Sequence, residues 1–411
     1  MARVLAVSVA SLDYMPEAGE RAERLLHDLA EALGGLVALP ERSGKRVVTS
    51  LNDAERVSIE AKHYSALLAL VVTDKTARLV HALATRSEKP LILVVDPEGW
   101  SIPDALDAYN VLRHSGLGVS KPLVYPRDLD TLREYVETSA KLGDYRGTAL
   151  MLVGSTPTWT LYGHLDETRF RVKLDATILR VDVNDVVLHF EETSVEEARR
   201  IFEESLREAN VEADIDLLVN ELRLYAAISR MVHENRVSAI AANCSELINK
   251  FGGVYIAASL LLERDSVPLA CENDAAAAVT ATLLGVHGRV LLARPRMFQG
   301  DRVEYEMLMT PPSMLKDPSI VFDERLGSLI LRGHPETENE VIVARLDPGF
   351  MRLYARTCSV VDSREAPRPT LVLEGCAGVL EYPGSRHVLL PGAEADKVEI
   401  AARLLGLELV M

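Results

Sequence analysis

The chain has 411 residues, which leaves room for two to four domains and excludes a single small module. Hydrophobic residues make up 48% and charged residues 26%, a balance typical of a globular protein and not of a disordered chain. The net charge of −16 argues against a nucleic-acid-binding or membrane-surface protein and favours small molecules or other proteins as partners.

Residues 1–145 predict an α/β domain. Apolar strands are predicted over 4–9, 67–72 and 91–95, and helices over 17–33, 74–85, 103–114 and 129–141. Strands that alternate with helices of this length are typical of βαβ units, in which a parallel sheet is covered on both faces. A linker is predicted at 143–147.

Residues 146–287 predict a second domain of the same kind. Its strands are predicted over 148–153, 176–181, 237–242 and 267–271, and its helices over 194–208, 214–233, 254–262 and 274–284. The fold class is therefore α/β, with two doubly wound parallel-sheet domains.

Residues 288–411 predict a mostly antiparallel β domain. Apolar and polar residues alternate between Pro and Gly over 302–309, 327–332, 340–346, 351–361 and 370–374. This period of two is typical of half-buried antiparallel strands. A helix over 394–405 is expected to close this domain.

The cysteines and the chain ends predict a cytoplasmic protein. Four cysteines are too few and too scattered to predict a disulfide framework, and no CxxC pair indicates a zinc site. The start of the chain lacks the features of a signal peptide, and no apolar run reaches the ~18 residues of a membrane span. Arg outnumbers Lys and Gln299 is the only glutamine, which hints at a thermophilic source.

Polar residues follow three strands of the second domain. They are 154–159 after the first strand, 243–246 after the strand at 237–242, and 271–274 before an alanine-rich helix. Ligands of open parallel sheets bind at the carboxyl ends of strands, so these segments predict a site by their joint placement. Taken singly, Asp274 is also an adequate helix N-cap, Glu246 an ordinary first-turn residue, and Trp159 a ring packed on a turn.

His387 adds a third candidate ligand to Glu246 and Asp274. It lies between a turn and a short apolar strand, where a lone histidine is more often structural. Two carboxylates and one imidazole suit Mn²⁺ or a similar transition ion, which can hold two oxygens of a sugar. No HExxH, GxSxG or Walker pattern is present, so zincin, serine-hydrolase and nucleotide-phosphate sites are disfavoured.

Three segments resemble the L-fucose isomerase family, which includes D-arabinose isomerases. Residues 271–284, beginning Cys-Glu-Asn-Asp, resemble its strand-to-helix segment, and residues 244–246, Cys-Ser-Glu, resemble its upstream glutamate segment. Residues 386–392, Arg-His-Val-Leu-Leu-Pro-Gly, followed by 398–409, are similar to its C-terminal histidine strand and closing helix. The resemblance spans the chain and is specific in these three segments.

The resemblance implies a metal-dependent aldose–ketose isomerase acting on a pentose or 6-deoxyhexose through a cis-enediol. Glu246, Asp274 and His387 would bind Mn²⁺, and the two carboxylates would also act as acid and base. Glu272 and Asn273 would contact the sugar or support the ligands, and Trp159 is a further candidate contact. The resemblance also implies a homo-oligomer, a trimer or hexamer, in which a neighbour's first domain completes the site.

Two departures from the family keep alternatives open. Residues 243–245 are Asn-Cys-Ser where a Trp-Pro dipeptide is frequent, and residues 308–314 replace a stretch bearing His, Cys and Gly. The first alternative is a sugar-binding or regulatory relative that has lost catalysis. A phosphosugar enzyme without metal is a third possibility, which the lack of a phosphate loop disfavours.

Overall fold

A computed structural model describes residues 4–13, 17–161, 163–365 and 367–411. The chain forms two compact units. The first comprises Met1–Arg146 and Asp396–Leu409, and the second comprises Gly147–Ala395 and Val410–Met411.

The first unit contains a parallel sheet covered by helices. Its strands are β1 (Val4–Val9), β2 (Val37–Ala38), β3 (Val47–Val48), β4 (Ala66–Val71), β5 (Leu91–Val95) and β6 (Leu123–Val124). Its helices are α1 (Ala18–Leu33), α2 (Leu51–Ala61), α3 (Ala77–Ser87), α4 (Ile102–His114) and α5 (Leu129–Asp144). The strand order is β2-β1-β4-β5-β6, and β3 also pairs with β1. The strands β1, β4 and β5 are buried along their whole length, which explains their continuous apolar sequence.

The second unit begins with another parallel α/β region. Its first elements are β7 (Ala149–Val153), α6 (Glu167–Leu174), β8 (Thr177–Val181), α7 (Val183–Glu191), α8 (Val195–Ser205), β9 (Asn210–Val211) and α9 (Ile215–Asn235). They are followed by β10 (Val237–Ala242), α10 (Cys244–Phe251), α11 (Tyr255–Asp265), β11 (Leu269–Cys271) and α12 (Ala275–Leu284). The parallel sheet has the order β11-β10-β7-β8.

Antiparallel strands form the rest of the second unit. They are β12 (Leu291–Gln299), β13 (Arg302–Glu306), β14 (Leu315–Asp323), β15 (Ser328–Pro335), β16 (Glu340–Leu346), β17 (Arg352–Arg364), β18 (Thr370–Glu374) and β19 (His387–Pro391). The order β16-β19-β12-β13-β18-β17 closes on itself, because β17 also pairs with β16. We call these six strands the strand ring. The strands β14 and β15 form a hairpin that pairs with β9.

Helix α12 joins the parallel sheet to the strand ring. All ten of its residues are buried, and its small alanines allow close approach on every side. Thr282 donates a hydrogen bond from Oγ1 to the Ser238 carbonyl on one side (2.8 Å), and Thr280 Oγ1 accepts one from the Leu346 amide on the other (3.0 Å). The N-terminus of α12, and Asp274 with it, is thereby held next to the ring.

The C-terminal helix lies with the first unit. Helix α13 (Ala395–Leu404) precedes the short strand β20 (Glu408–Val410). Arg403 bonds to Tyr109 Oη at 2.9 Å and to Glu399, which also pairs with Lys121 at 2.8 Å. From sequence this helix was expected to close the β region at 288–411. Its partners on α4 and beside β6 are far away in the chain, so local pattern could not reveal them.

The predicted fold class is confirmed at the level of parallel-sheet α/β regions followed by an antiparallel β region. Residues 147–287 and 288–395 lie in one compact unit, and their division into separate domains stays a prediction. Among the described residues, no helix is both long and apolar enough to cross a bilayer.

The expectation of no disulfide framework is wrong. Cys244 is bonded to Cys271, and Cys358 to Cys376, across sequence separations of 27 and 18 residues. The first bond joins the start of α10 to the end of β11. Spacing along the chain concealed this proximity because β10 and β11 are adjacent only in the folded sheet.

Candidate functional site

The three predicted polar segments of the second unit meet at one edge of its parallel sheet. Ser155, after β7, accepts hydrogen bonds through its carbonyl from the side-chain amides of Asn243 (3.0 Å) and Asn273 (2.8 Å). The backbone N–H of Asn273 donates to the Ala242 carbonyl at 2.9 Å. The carboxyl ends of β7, β10 and β11 therefore form one connected cluster, as the strand-end rule predicts.

Glu246 is held in the first turn of α10 by neutral donors. Its Oε1 accepts from Asn243 Nδ2 at 2.9 Å and from the Ser155 hydroxyl, and its Oε2 accepts from the Ser155 amide at 3.3 Å. Gly154 has a φ of 75°, and a Cβ at this position would lie 2.4 Å from Oε2. The approach of the carboxylate to the turn thus depends on a residue without a side chain.

Asp274 caps helix α12 and binds a buried arginine. Its Oδ1 accepts a hydrogen bond from the Ala277 amide at 3.0 Å, which is the N-cap role that its position predicts. Its Oδ2 accepts one from Arg345 Nη1 at 2.7 Å. Arg345, on β16, is 0% exposed and was missed by sequence reasoning. The alternation of side chains along the strand could have revealed it. Arg345 lies two and four residues from Val343 and Val341 of the apolar core, so it shares their face of the strand.

The Arg345 guanidinium also contacts the turn that precedes β19. Its Nη1 donates to the Arg386 carbonyl at 2.8 Å. Gly384, in the same turn, has a φ of 98°, and a Cβ there would lie 2.6 Å from Arg345 Nη2. The turn therefore encloses the guanidinium without displacing it.

His387 is buried between Tyr305, on β13, and Tyr382, in the segment between β18 and β19. Its Nδ1 lies 2.6 Å from Tyr305 Oη, and the ring of Tyr382 lies on its other side at a centroid distance of 5.4 Å. Burial, followed by repulsion from Arg345, lowers the pKa of His387 to about 3, so the imidazole is neutral. Among the described residues, its Nε2 has no hydrogen-bond partner.

A cavity of about 560 Å³ opens beside Asp274. Its lining includes Trp159 and Leu161 at an exposed rim, and Glu272, Arg294 and Arg386 as charged groups. Arg386 pairs with Glu272, which also lines the cavity. Arg294 pairs at 2.8 Å with Glu306, a buried carboxylate that is also shared with Arg296 and Arg368. The cavity lining thus presents two arginines beside the carboxylates of Glu272 and Asp274.

The backbone between β11 and α12 is unusual. Glu272 and Asn273 have φ values of 56° and 54°, in the left-handed region that few non-glycine residues adopt. Such residues are kept where the surrounding structure requires them, and they cluster at functional sites. Here the conformation turns Glu272 toward the cavity while Asn273 holds the β7 turn.

The predicted Mn²⁺ ligand set does not assemble in this arrangement. Within the described ranges, no group of three or more His, Cys, Asp or Glu side chains is placed to hold an ion. Asp274 Oδ2 is engaged by Arg345, and both oxygens of Glu246 are engaged by Ser155 and Asn243. Of the three predicted ligands, His387 has a ligand atom without a hydrogen-bond partner among the described residues, its Nε2. At Asp274, the positive charge of Arg345 lies against Oδ2, where the predicted ion would bind.

The segment 308–314 does not line the cavity. Leu308 and Met309 are buried in the apolar core of the parallel α/β region, and Met314 is buried in the core of the strand ring. These three side chains therefore serve packing.

No protein-family model matches the chain, and no curated protein sequence matches it significantly. Its resemblance to the L-fucose isomerase family therefore rests on the three segments named above.

Proposed function

We propose that the protein binds a sugar or a related polyol in the cavity beside Asp274, without a metal ion. This is the sugar-binding or regulatory alternative that the departures from the family pattern left open. The observation that carries it is the buried Asp274–Arg345 contact, which engages the carboxylate most suited to a metal.

The cavity wall has the chemistry that hydroxyl groups require. The lining residues Arg386 and Arg294 supply N–H donors, and Glu272 supplies a carboxylate acceptor, which matches the two roles of a hydroxyl. Trp159, 67% exposed, offers an aromatic face for the C–H side of a sugar ring. A volume of about 560 Å³ falls in the range of small-molecule sites and accommodates a monosaccharide.

Calorimetric titration with L-fucose, D-arabinose and L-arabinose tests this function. We expect binding that EDTA leaves unchanged and that Trp159→Ala weakens roughly tenfold, about 1.4 kcal/mol. Trp100→Ala, which removes the other tryptophan, exposed in the first unit, is the matched control and should bind normally. The proposal fails if none of the sugars binds, or if binding disappears with EDTA.

The second candidate is the metal-dependent aldose–ketose isomerase acting on a pentose or 6-deoxyhexose. It is favoured by the buried Nε2 of His387, which has no partner within the described ranges and lies in the segment that resembles the family's metal-binding histidine. This candidate requires Glu246, Asp274 and His387 to rearrange around Mn²⁺, and it includes a cytoplasmic homo-oligomer. Ketose formation that depends on added Mn²⁺ and stops in Asp274→Asn would establish it in place of the first proposal.

A further inference from the structure

We propose that the Arg345 guanidinium is the cation that neutralises the buried Asp274 carboxylate, and that it excludes divalent ions from Asp274. A neutral residue at position 345 would then create a Mn²⁺ site. This inference deepens the metal-independent function proposed above and rests on it.

The first argument is charge balance at a buried position. The side chains of Arg345 and Asp274 are 0% and 6% exposed, and they are joined by a 2.7 Å hydrogen bond. A buried carboxylate without a cation is strongly unfavourable, so Asp274 requires one positive partner. The guanidinium supplies this charge as part of the chain.

The second argument is that the guanidinium of Arg345 already occupies the position that a metal ion would take beside Asp274. A divalent transition ion would lie ~2.0–2.2 Å from a carboxylate oxygen, and Arg345 Nη1 already holds Oδ2. An ion placed there would meet both the volume and the positive charge of the guanidinium. Oδ1 caps α12 through the Ala277 amide, and an ion bound to its remaining lone pair would still lie on the carboxylate that holds the guanidinium.

The third argument is that the turn before β19 fits the arginine. The Arg386 carbonyl accepts a hydrogen bond from Nη1, and Gly384 leaves space that a Cβ would take from Nη2. These contacts restrain the guanidinium in addition to its bond with Asp274. Its position is therefore set by two elements, α12 and the turn.

The fourth argument is that other ligand atoms lie nearby once the guanidinium is removed. Arg345 Nη1 donates to the carbonyl of Arg386, the residue that directly precedes His387. His387 Nε2 is buried and has no partner among the described residues. A carboxylate oxygen, an imidazole nitrogen and water are ligands that Mn²⁺ accepts.

The test is titration of Mn²⁺ into wild-type protein and into Arg345→Met, followed by calorimetry and by electron paramagnetic resonance of free Mn²⁺. We expect no saturable binding at this site in the wild type and about one equivalent in Arg345→Met, with a Tm that rises on addition of Mn²⁺. The double variant Arg345→Met with Asp274→Asn should lose that binding. Arg345→Lys keeps the charge and should bind no Mn²⁺, and Arg302→Met, which breaks an exposed pair with Glu374, controls for loss of an arginine elsewhere.

Three results would overturn the inference. They are one equivalent of Mn²⁺ in the wild type that Asp274→Asn abolishes, no binding in folded Arg345→Met, and binding in Arg345→Met that persists in the double variant. If Arg345→Met does not fold, the wild-type titration decides the question of exclusion. Sugar binding is measured separately, so failure of the sugar site and failure of the cation inference give different results.

Discussion

In both units an aspartate at the carboxyl end of the parallel sheet pairs with an arginine. Asp96 follows β5 and lies 2.8 Å from Arg21, and Asp274 follows β11 and lies 2.7 Å from Arg345. The side chain of Arg21 is 36% exposed and that of Arg345 is 0% exposed. The two aspartate side chains are similarly buried, at 7% and 6% exposure, so the pairs differ in the arginine. Water and salt reach the first pair through Arg21, whereas both members of the second pair are shielded from solvent. Burial thus turns similar contacts into interactions of different weight.

The origin of the two arginines explains this difference. Arg21 lies on α1, at the surface of the first unit, and also contacts the exposed Glu98 at 2.8 Å. Arg345 comes from β16 of the strand ring, which packs against α12 and removes the sheet edge from water. A second layer of structure is therefore what makes Asp274 dependent on its cation.

Breaking the buried pair should have the largest effect. Arg345→Met leaves the Asp274 carboxylate buried without a cation, so we expect the free energy of unfolding to fall by about 3–5 kcal/mol. Urea denaturation of wild type and variant measures the change. Asp274→Asn in the same background should recover part of the loss, and a double variant as unstable as the sum of both single losses would contradict a direct pair.

The disulfide at the sheet edge should contribute the next largest effect. Replacing Cys244 and Cys271 by Ser opens a loop of 27 residues, which we expect to cost about 3 kcal/mol of stability. Because this bond joins the segments that carry Glu246 and Asp274, sugar affinity should fall as well. Replacing Cys358 and Cys376 is the matched control, since it removes a disulfide of the strand ring and should leave affinity unchanged. Equal loss of affinity in both variants would contradict a local role.

Glu221 provides a buried carboxyl group without an arginine. It accepts hydrogen bonds from the Ile256 and Leu329 amides and from the Ser328 hydroxyl, and burial raises its pKa to about 8. The folded state keeps this proton up to about pH 8, whereas the unfolded chain loses it near 4.5. The native state therefore binds more protons in this window, and stability should fall by about 2 kcal/mol between pH 6 and pH 8.

Glu221→Gln is the control for this pH dependence. It keeps the size of the side chain and removes the titrating proton. The free energy of unfolding of the variant should therefore decrease less between pH 6 and pH 8 than that of the wild type. Urea denaturation at several pH values measures both proteins. An identical slope in wild type and variant would mean that other groups cause the pH dependence.

Breaking the pair with the partly exposed arginine should have the smallest effect. Arg21→Met removes contacts with the buried Asp96 and the exposed Glu98. Asp96 keeps its hydrogen bond from the Glu98 amide, and water can replace the partly exposed guanidinium, so we expect a loss of about 1 kcal/mol that shrinks in high salt. Urea denaturation at low and high ionic strength measures it. If Arg21→Met lowered the free energy of unfolding as much as Arg345→Met, burial of the arginine would not explain the difference between the two pairs.

Local pattern accounted for much of the fold. The apolar runs at 4–9 and 91–95 are the strands β1 and β5, and the alanine-rich segment after Asp274 is α12. Helix α6 was missed because it is short and polar, with only Phe170 and Leu174 buried. Hydrophobic periodicity reveals a helix when one of its faces is apolar and buried. Helix α6 buries too few side chains to produce such a pattern.

For the site, the sequence by itself determined which segments meet. Glu246 and Asp274 follow neighbouring strands of one parallel sheet, and a short polar residue before an alanine run caps a helix. These are consequences of local chemistry and of the rule that parallel strands end at a common edge.

Only the tertiary structure decided what each donor atom contacts. Arg345 is 71 residues from Asp274, and Cys271 is 27 residues from Cys244. Neither proximity has a local signature, because each arises from the packing of α12 against β16 or of β10 beside β11. The sequence determines that a carboxylate, Asp274, lies at the start of α12. Because a buried charge requires a partner within hydrogen-bonding distance, Asp274 needs a cation, and the fold supplies the guanidinium of Arg345.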